Sequence, residues 1–319
     1  MLKKKNPLYK VILYAAAAAA FALSYPDATC SQTESGALNI SFSEDPGHAG
    51  VVKTYDYAYP YGFKISRDGS LYLSNTAKNS ILQFDFMGRL IKSYSGEKGS
   101  FAATGDLAFD NDGMLYYASL KDLQIVKVDM LASERQRFGG RGTKEDELLS
   151  IYQIEAAFGK KIFVQDTVSQ KINAYSSTGA FIKKIDCNVP GFSINNKGQL
   201  LYFNYDSFAG YGLFLADVNE KASRPVFTIG LSAVTDLEFI GVDYKGNVYT
   251  AASLNHKDPF GEREVNVYNS NGIHIANYSV KKSLLKRQFF VFGDGSLYSA
   301  ETDASPSRPL PTKMSIRKY

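Results

Sequence analysis

Beyond residue 60, apolar and polar side chains alternate in short runs, each closed by turn residues. A period of two belongs to half-buried strands. In the first clear stretch the runs are Gly62–Ser66, Leu71–Asn75, Ile81–Phe86 and Leu90–Tyr94, with turns at Asp68-Gly69 and Met87-Gly88. The order returns as Gln153–Ala157, Ile162–Asp166, Ile172–Tyr175 and Phe181–Ile185, turning at Thr178-Gly179, and again in a later stretch that turns at Asn271-Gly272. An aliphatic–aromatic pair follows the first turn of every unit: Leu71-Tyr72, Leu115-Tyr116, Ile162-Phe163, Leu201-Tyr202, Val248-Tyr249 and Leu297-Tyr298. The aromatic positions are 44, 47, 39, 47 and 49 residues apart. Gly69, Gly113, Gly246 and Gly295 stand three residues before the aromatic, and Gly159 and Gly198 stand four before it. Glycine supplies the positive φ that tight hairpins need. Helical periodicity after residue 30 reduces to Glu145–Ile151, a short candidate loop helix.

Four antiparallel strands in about 45 residues form the blade of a β-propeller. Six phased copies predict an all-β, six-bladed ring. The sixth copy has only three strands, Gln288–Phe292, Leu297–Ala300 and Met314–Tyr319. A blade left open there would expose unpaired backbone groups. Val51–Tyr57 alternates as a strand, so it is expected to supply the missing outer strand and close the ring from the N-terminal side. The predicted organisation is a signal peptide or N-terminal anchor over 1–24, a polar tether over 25–45 and the propeller over 46–319.

Residues 61–96 resemble an NHL repeat. Pro60, Asp68-Gly69, Asn75-Thr76, Asn79, Phe84-Asp85 and Gly88 fit that pattern, while Ser80 replaces the usual Arg and the family's Trp is missing. The second copy keeps Asp112-Gly113, Val128-Asp129 and Phe138-Gly139, and the third keeps Asp166-Thr167 and Lys171-Ile172. The last three keep only the turn and the aromatic. The resemblance implies a six-bladed propeller, a fold that serves both binding and catalysis, so function does not follow from it.

The N-terminus changes the picture. Met1–Lys10 is basic and Val11–Leu23 is an unbroken apolar run of 13 residues. As a helix that run spans about 20 Å, short of a hydrocarbon core of about 30 Å. Basic, apolar and small residues in that order match a bacterial secretory signal, with Ala20-Phe21-Ala22 and Ala22-Leu23-Ser24 as cleavage triplets. The alternative is an uncleaved anchoring helix. Either way the expected location is extracytoplasmic, in the periplasm or at the cell surface. Cys30 sits where a lipidated cysteine would, although Asp27 stands where a lipobox has an aliphatic residue. Lipidation at Cys30 and a disulfide to Cys187 both stay open. Any membrane contact is expected through the N-terminus alone.

The net charge of +4 comes from Lys3, Lys4, Lys5 and Lys10; the rest of the chain balances 32 basic against 32 acidic residues. That balance argues against nucleic acid as a partner. Two cysteines exclude a disulfide scaffold and a cysteine-based zinc site. His48, His256 and His274 are too scattered for the several histidines of a zinc-dependent propeller lyase. No Ser-His-Asp arrangement, phosphate-binding glycine loop or haem-attachment motif is present.

Loops between second and third strands share one face with the blade-to-blade connections. Those of blades four to six, Tyr205–Gly212, Ser253–Glu264 and Glu301–Lys313, read as longer than the others. They make Tyr211, Phe260, Arg263, His256 and Arg308 the candidate binding residues, with Phe208 beside them, suited to a protein, peptide or glycan. Along the channel, inner-strand phasing aligns Lys64, Ala108, Glu155, Ser193, Gly241 and Phe290, with Asp106, Gln153 and Gln288 one step further in. Asp106, Glu155 and Glu238 are the carboxylates placed for Ca²⁺ or Mg²⁺, unless Lys64 pairs with one of them. The expected function is a non-catalytic binding scaffold at the cell envelope, needing no cofactor. The alternative is a metal-dependent lactone or ester hydrolase of gluconolactonase-like type, for which the matching motif strings are absent.

Overall fold

The computed structural model describes residues 37–42, 49, 59–95, 101, 103–129, 134–157, 160–230, 236–253, 258, 260–307 and 311–319. Six four-stranded antiparallel sheets form six blades. Their inner strands are Phe63–Ile65, Thr104–Phe109, Gln153–Ala157, Phe192–Ile194, Glu238–Val242 and Phe289–Val291. Each touches the next in order and the sixth returns to the first, which makes the sheets a closed ring. The one helical element among the described residues is the 3₁₀ turn Thr76–Lys78. Glu145–Ile151 is not helical; its apolar residue Leu148 is buried and donates its N–H to the Gly140 carbonyl instead.

Alternation along the strands decides the core. Phe63, Leu107, Phe192 and Ile240 are buried between blades, while Ile65, Phe109, Ile194 and Val242, nearer the turns, are partly covered. Apolar clusters straddle neighbouring blades: Tyr116, Ile125 and Phe138 of blade two pack with Ile154, Val164 and Tyr175 of blade three. The ring therefore holds together by face-to-face burial of whole sheets.

Two turns depart from the repeat pattern. In blade three Lys160, with φ of 60°, takes the left-handed turn position that glycine holds elsewhere. In blade four Leu201, not Tyr202, lies opposite the channel residue Ser193, so the aromatic marker there is one residue out of phase.

The ring closes with a different strand from the expected one. Leu38–Ser41 pairs antiparallel with the last strand, Lys313–Lys318, in the register Leu38↔Ile316 to Ser41↔Lys313. Ile40 is buried in a cluster with Leu71, Phe84, Met314 and Ile316. The propeller thus takes in residues assigned above to a polar tether, and its N-terminal boundary lies before 46. The strand escaped notice because it is only four residues long, and its exposed positions, Asn39 and Ser41, are polar. Val51–Tyr57 lies outside the described residues, as do the N-terminal segment, Cys30, His256 and Arg308.

Candidate functional site

Second-to-third-strand loops and blade connections meet around one end of the channel and form a funnel of about 870 Å³. Tyr61, Tyr152, Leu149, Val168, Arg263 and Lys286 are among its walls. At the other end, beneath the first-to-second-strand turns, Lys64, Glu155, Ser193, Gly241 and Phe290 line a narrower space of about 220 Å³. Five of the six positions phased to the channel from the sequence thus line this space, and the sixth, Ala108, is buried.

A buried polar network lies between the two ends. Glu238 sits at its centre. Its Oε2 accepts a hydrogen bond of 2.6 Å from Arg263 Nη1, its Oε1 accepts one of 2.8 Å from the Tyr152 hydroxyl, and Arg287 Nη1 lies 3.7 Å from Oε1. Arg287 also donates to Gln153 Oε1 at 2.8 Å, and Gln153 donates to Glu155 Oε1 at 3.0 Å. Glu155 forms an ion pair with Lys64. Asp106 accepts the backbone N–H of Ile154 at 2.9 Å, and the Tyr61 hydroxyl donates to the carbonyls of Ile151 and Tyr152. Inner strands from blades one, two, three, five and six are tied together by this set.

The charges are sorted by their neighbours. Burial raises the Glu238 carboxyl, but Arg263 and Arg287 more than offset it, so Glu238 is held below the usual carboxylate value and stays ionised. Asp106 ends above its usual value because burial outweighs the attraction of Lys64 and Arg287. Burial alone would lower Arg287; the surrounding acids, Asp106 among them, raise it instead and keep it charged. The two carboxylates therefore give opposite pH dependences. Asp106, raised, binds its proton more readily when folded, so stability grows as pH falls through its folded value towards 3.8. Glu238, depressed, gives stability that is complete above 4.5 and is lost as pH falls through its lowered folded value. Asp106→Asn should abolish the first phase and leave the second. Melting temperatures from pH 3 to 8 check this; identical profiles for variant and wild type would contradict the assignment.

Two of the three proposed metal ligands already have cationic partners. Glu238 is neutralised by two arginines and Glu155 by Lys64, so cations already occupy the space beside both. Among the described residues no group of three or more His, Cys, Asp or Glu side chains could hold a metal ion.

Two of the expected loop residues belong to strands. Tyr211 lies in Gly210–Ala216, is only 9% exposed, and packs with Phe203, Leu213 and Phe239. Blade four's hairpin carries its strands out to Asp206 and Gly210, leaving 207–209 as the turn, with Phe208 exposed at its tip. Its loop is short, whereas 254–261 and 303–312 of blades five and six are long. Tyr211→Ala should therefore cost roughly 3–5 kcal/mol as a large-to-small core change, measurable by denaturant unfolding. Arg263 is likewise a strand residue, set in Glu262–Tyr268, but it does reach the funnel through its pair with Glu238. Phe260 is half-buried beside Asp258, whose carboxylate accepts its N–H. Cys187 is a free, buried thiol whose pKa burial pushes up to about 12.

Sequence reasoning missed Tyr61, Tyr152 and Arg287. The signal was present: each lies eight residues before its turn position (Gly69, Lys160 and Gly295), as Glu238 does before Gly246. One ring position thus supplies four of the network's side chains, Tyr61, Tyr152, Glu238 and Arg287.

No family model matches the chain, and no curated protein sequence matches it. Solved structures do match. Virginiamycin B lyase from Staphylococcus aureus superposes with a TM-score of 0.56 at 10% identity, covering 89% of this chain and 87% of that one. A DUF4221 family member from Bacteroides vulgatus gives 0.56 at 16% identity, over 88% and 95%. A gluconolactonase from Xanthomonas campestris gives 0.52 at 12%, over 82% and 86%. These likenesses show the fold alone. The chain is a six-bladed β-propeller, an architecture shared by enzymes and binding proteins.

Proposed function

We propose that this chain is an exported, NHL-like propeller that binds a protein, peptide or glycan at the cell envelope through its wide funnel, without catalysis of its own. The observation that carries this reading is the contrast between the funnel's walls and its floor. Exposed Leu149, Val168, Arg141 and Lys286 stand in the walls, and the Lys286 ammonium lies 5.6 Å from the centre of the Tyr152 ring. Apolar, aromatic and cationic groups in one concave surface are the chemistry of recognition. Two floor carboxylates, Glu155 and Glu238, are committed to cations, which leaves them poorly placed to bind a metal or to move a proton. Export and retention at the membrane follow from the basic-then-apolar N-terminus, whether through an uncleaved helix or a lipid on Cys30.

Affinity capture from an envelope fraction tests the reading. Lys286→Glu and Val168→Asp should each reduce the captured partner at least tenfold, whereas Asn271→Asp on the opposite face should not. Equal capture by all three variants would remove the funnel from the account. A stoichiometric divalent ion that is lost in Glu155→Ala would favour the hydrolase instead.

A further inference from the structure

We infer that the hairpin Phe86–Ile91, beside the seam where the ring closes, rests on the surface of an anionic phospholipid bilayer. Phe86 is 81% exposed, Met87 66%, Leu90 42% and Ile91 55%. Four large apolar side chains thus stand in solvent within six consecutive positions, the densest such cluster among the described residues. Apolar exposure of this density marks an interaction surface.

The path of the chain identifies the occupant. Leu38, at the start of the closing strand, packs so tightly on Gly88 that a Cβ there would collide with it. The described chain therefore enters the ring beside this hairpin. Only residues 24–36 separate the ring from the apolar run Val11–Leu23, a reach of about 45 Å when fully extended. A membrane-held N-terminus keeps this corner of the propeller close to the bilayer. The inference rests on that anchoring.

Charge at the same corner agrees. Arg89 and Lys92 belong to the hairpin's turn and outer strand, and Arg317 and Lys318 end the strand that pairs with Leu38. Asp85 and Glu301 offset part of this charge, pairing with Arg89 and Arg317. Apolar side chains that enter the headgroup boundary, flanked by basic ones that meet anionic lipid, form an interfacial docking site. The turn Asp85–Arg89 leaves its blade on the face opposite the funnel. Docking there turns the funnel away from the bilayer, towards soluble or surface-bound partners.

The chain contains no tryptophan, so Phe86→Trp creates a single fluorescent reporter. Full-length Phe86→Trp protein, retaining residues 1–36, is incubated with phosphatidylethanolamine–phosphatidylglycerol vesicles carrying brominated acyl chains. Ile273→Trp, at the corresponding turn of blade five, is the comparison. Both proteins should sediment with the vesicles, and the emission of Phe86→Trp alone should fall by half or more. Sedimentation without quenching at position 86, or with equal quenching at both positions, would overturn the inference and leave the anchoring intact. Failure of either protein to sediment would overturn both.

Discussion

Arg287→Met should destabilise the propeller by roughly 3–5 kcal/mol, the range for removing one partner of a buried charge pair. Arg287 lies in the channel wall with its guanidinium 3.7 Å from Glu238 and 2.8 Å from Gln153, and its positive charge also attracts Asp106. Methionine fills similar volume but leaves Lys64 as the remaining cation acting on Asp106 and Arg263 as the one acting on Glu238. At roughly 2–4 °C per kcal/mol in a domain of this size, the melting temperature should fall by about 10 °C. The loss should be larger at pH 8 than at pH 5. Asp106 is already raised by burial, and acid protonates it and removes the charge that lost its counter-ion. Thermal unfolding of wild type and variant at the two pH values measures this. An equal loss at both would mean that Arg287 acts by packing alone.

Deleting residues 37–42 should have an effect of at least similar size. The deletion strips the outer strand from blade six, exposes the unpaired edge of Lys313–Lys318, and uncovers Met314 and Ile316, which Ile40 helps to bury. A bare edge templates association with other chains. The deleted protein is therefore expected to aggregate on warming and to unfold more than 10 °C below wild type, by light scattering and calorimetry. Ile40→Val keeps the strand and should cost only about 0.5–1.5 kcal/mol. A deleted protein that stays monomeric and equally stable would show that the ring closes elsewhere.

What the sequence made legible, and what it hid, divides along physical lines. The fold was legible because each blade repeats a turn and an aromatic at nearly fixed spacing, and backbone pairing obeys that spacing even where Lys160 replaces glycine. The closing strand was not, because two apolar positions in Leu38–Ser41 are too few for a periodicity to stand out. Tyr211 was misplaced because Asp206, Ser207 and Gly210 read as a loop, whereas the two strands run on to within three residues of each other. In the channel, phasing on the turn points to Lys64 and Glu155, and a pair between Lys64 and one of the three carboxylates is the alternative to a metal; the partner of Lys64 is Glu155. Arg287 and Tyr152 lie at the mouths of their strands, outside the alternating runs, so no hydrophobic period pointed to them. Their partnership with Glu238 spans blades three, five and six and exists only once the ring has closed.

The central claim is that the ring works through its wide funnel. Photo-cross-linking in living cells tests it most directly, with a photoreactive amino acid placed at Lys286, Val168 or Asn271. Positions 286 and 168 face the funnel, and 271 is exposed on the opposite side. The account predicts a discrete, shared cross-linked product from positions 286 and 168 and none from 271. The same product from 271, with none from the two funnel positions, would contradict it.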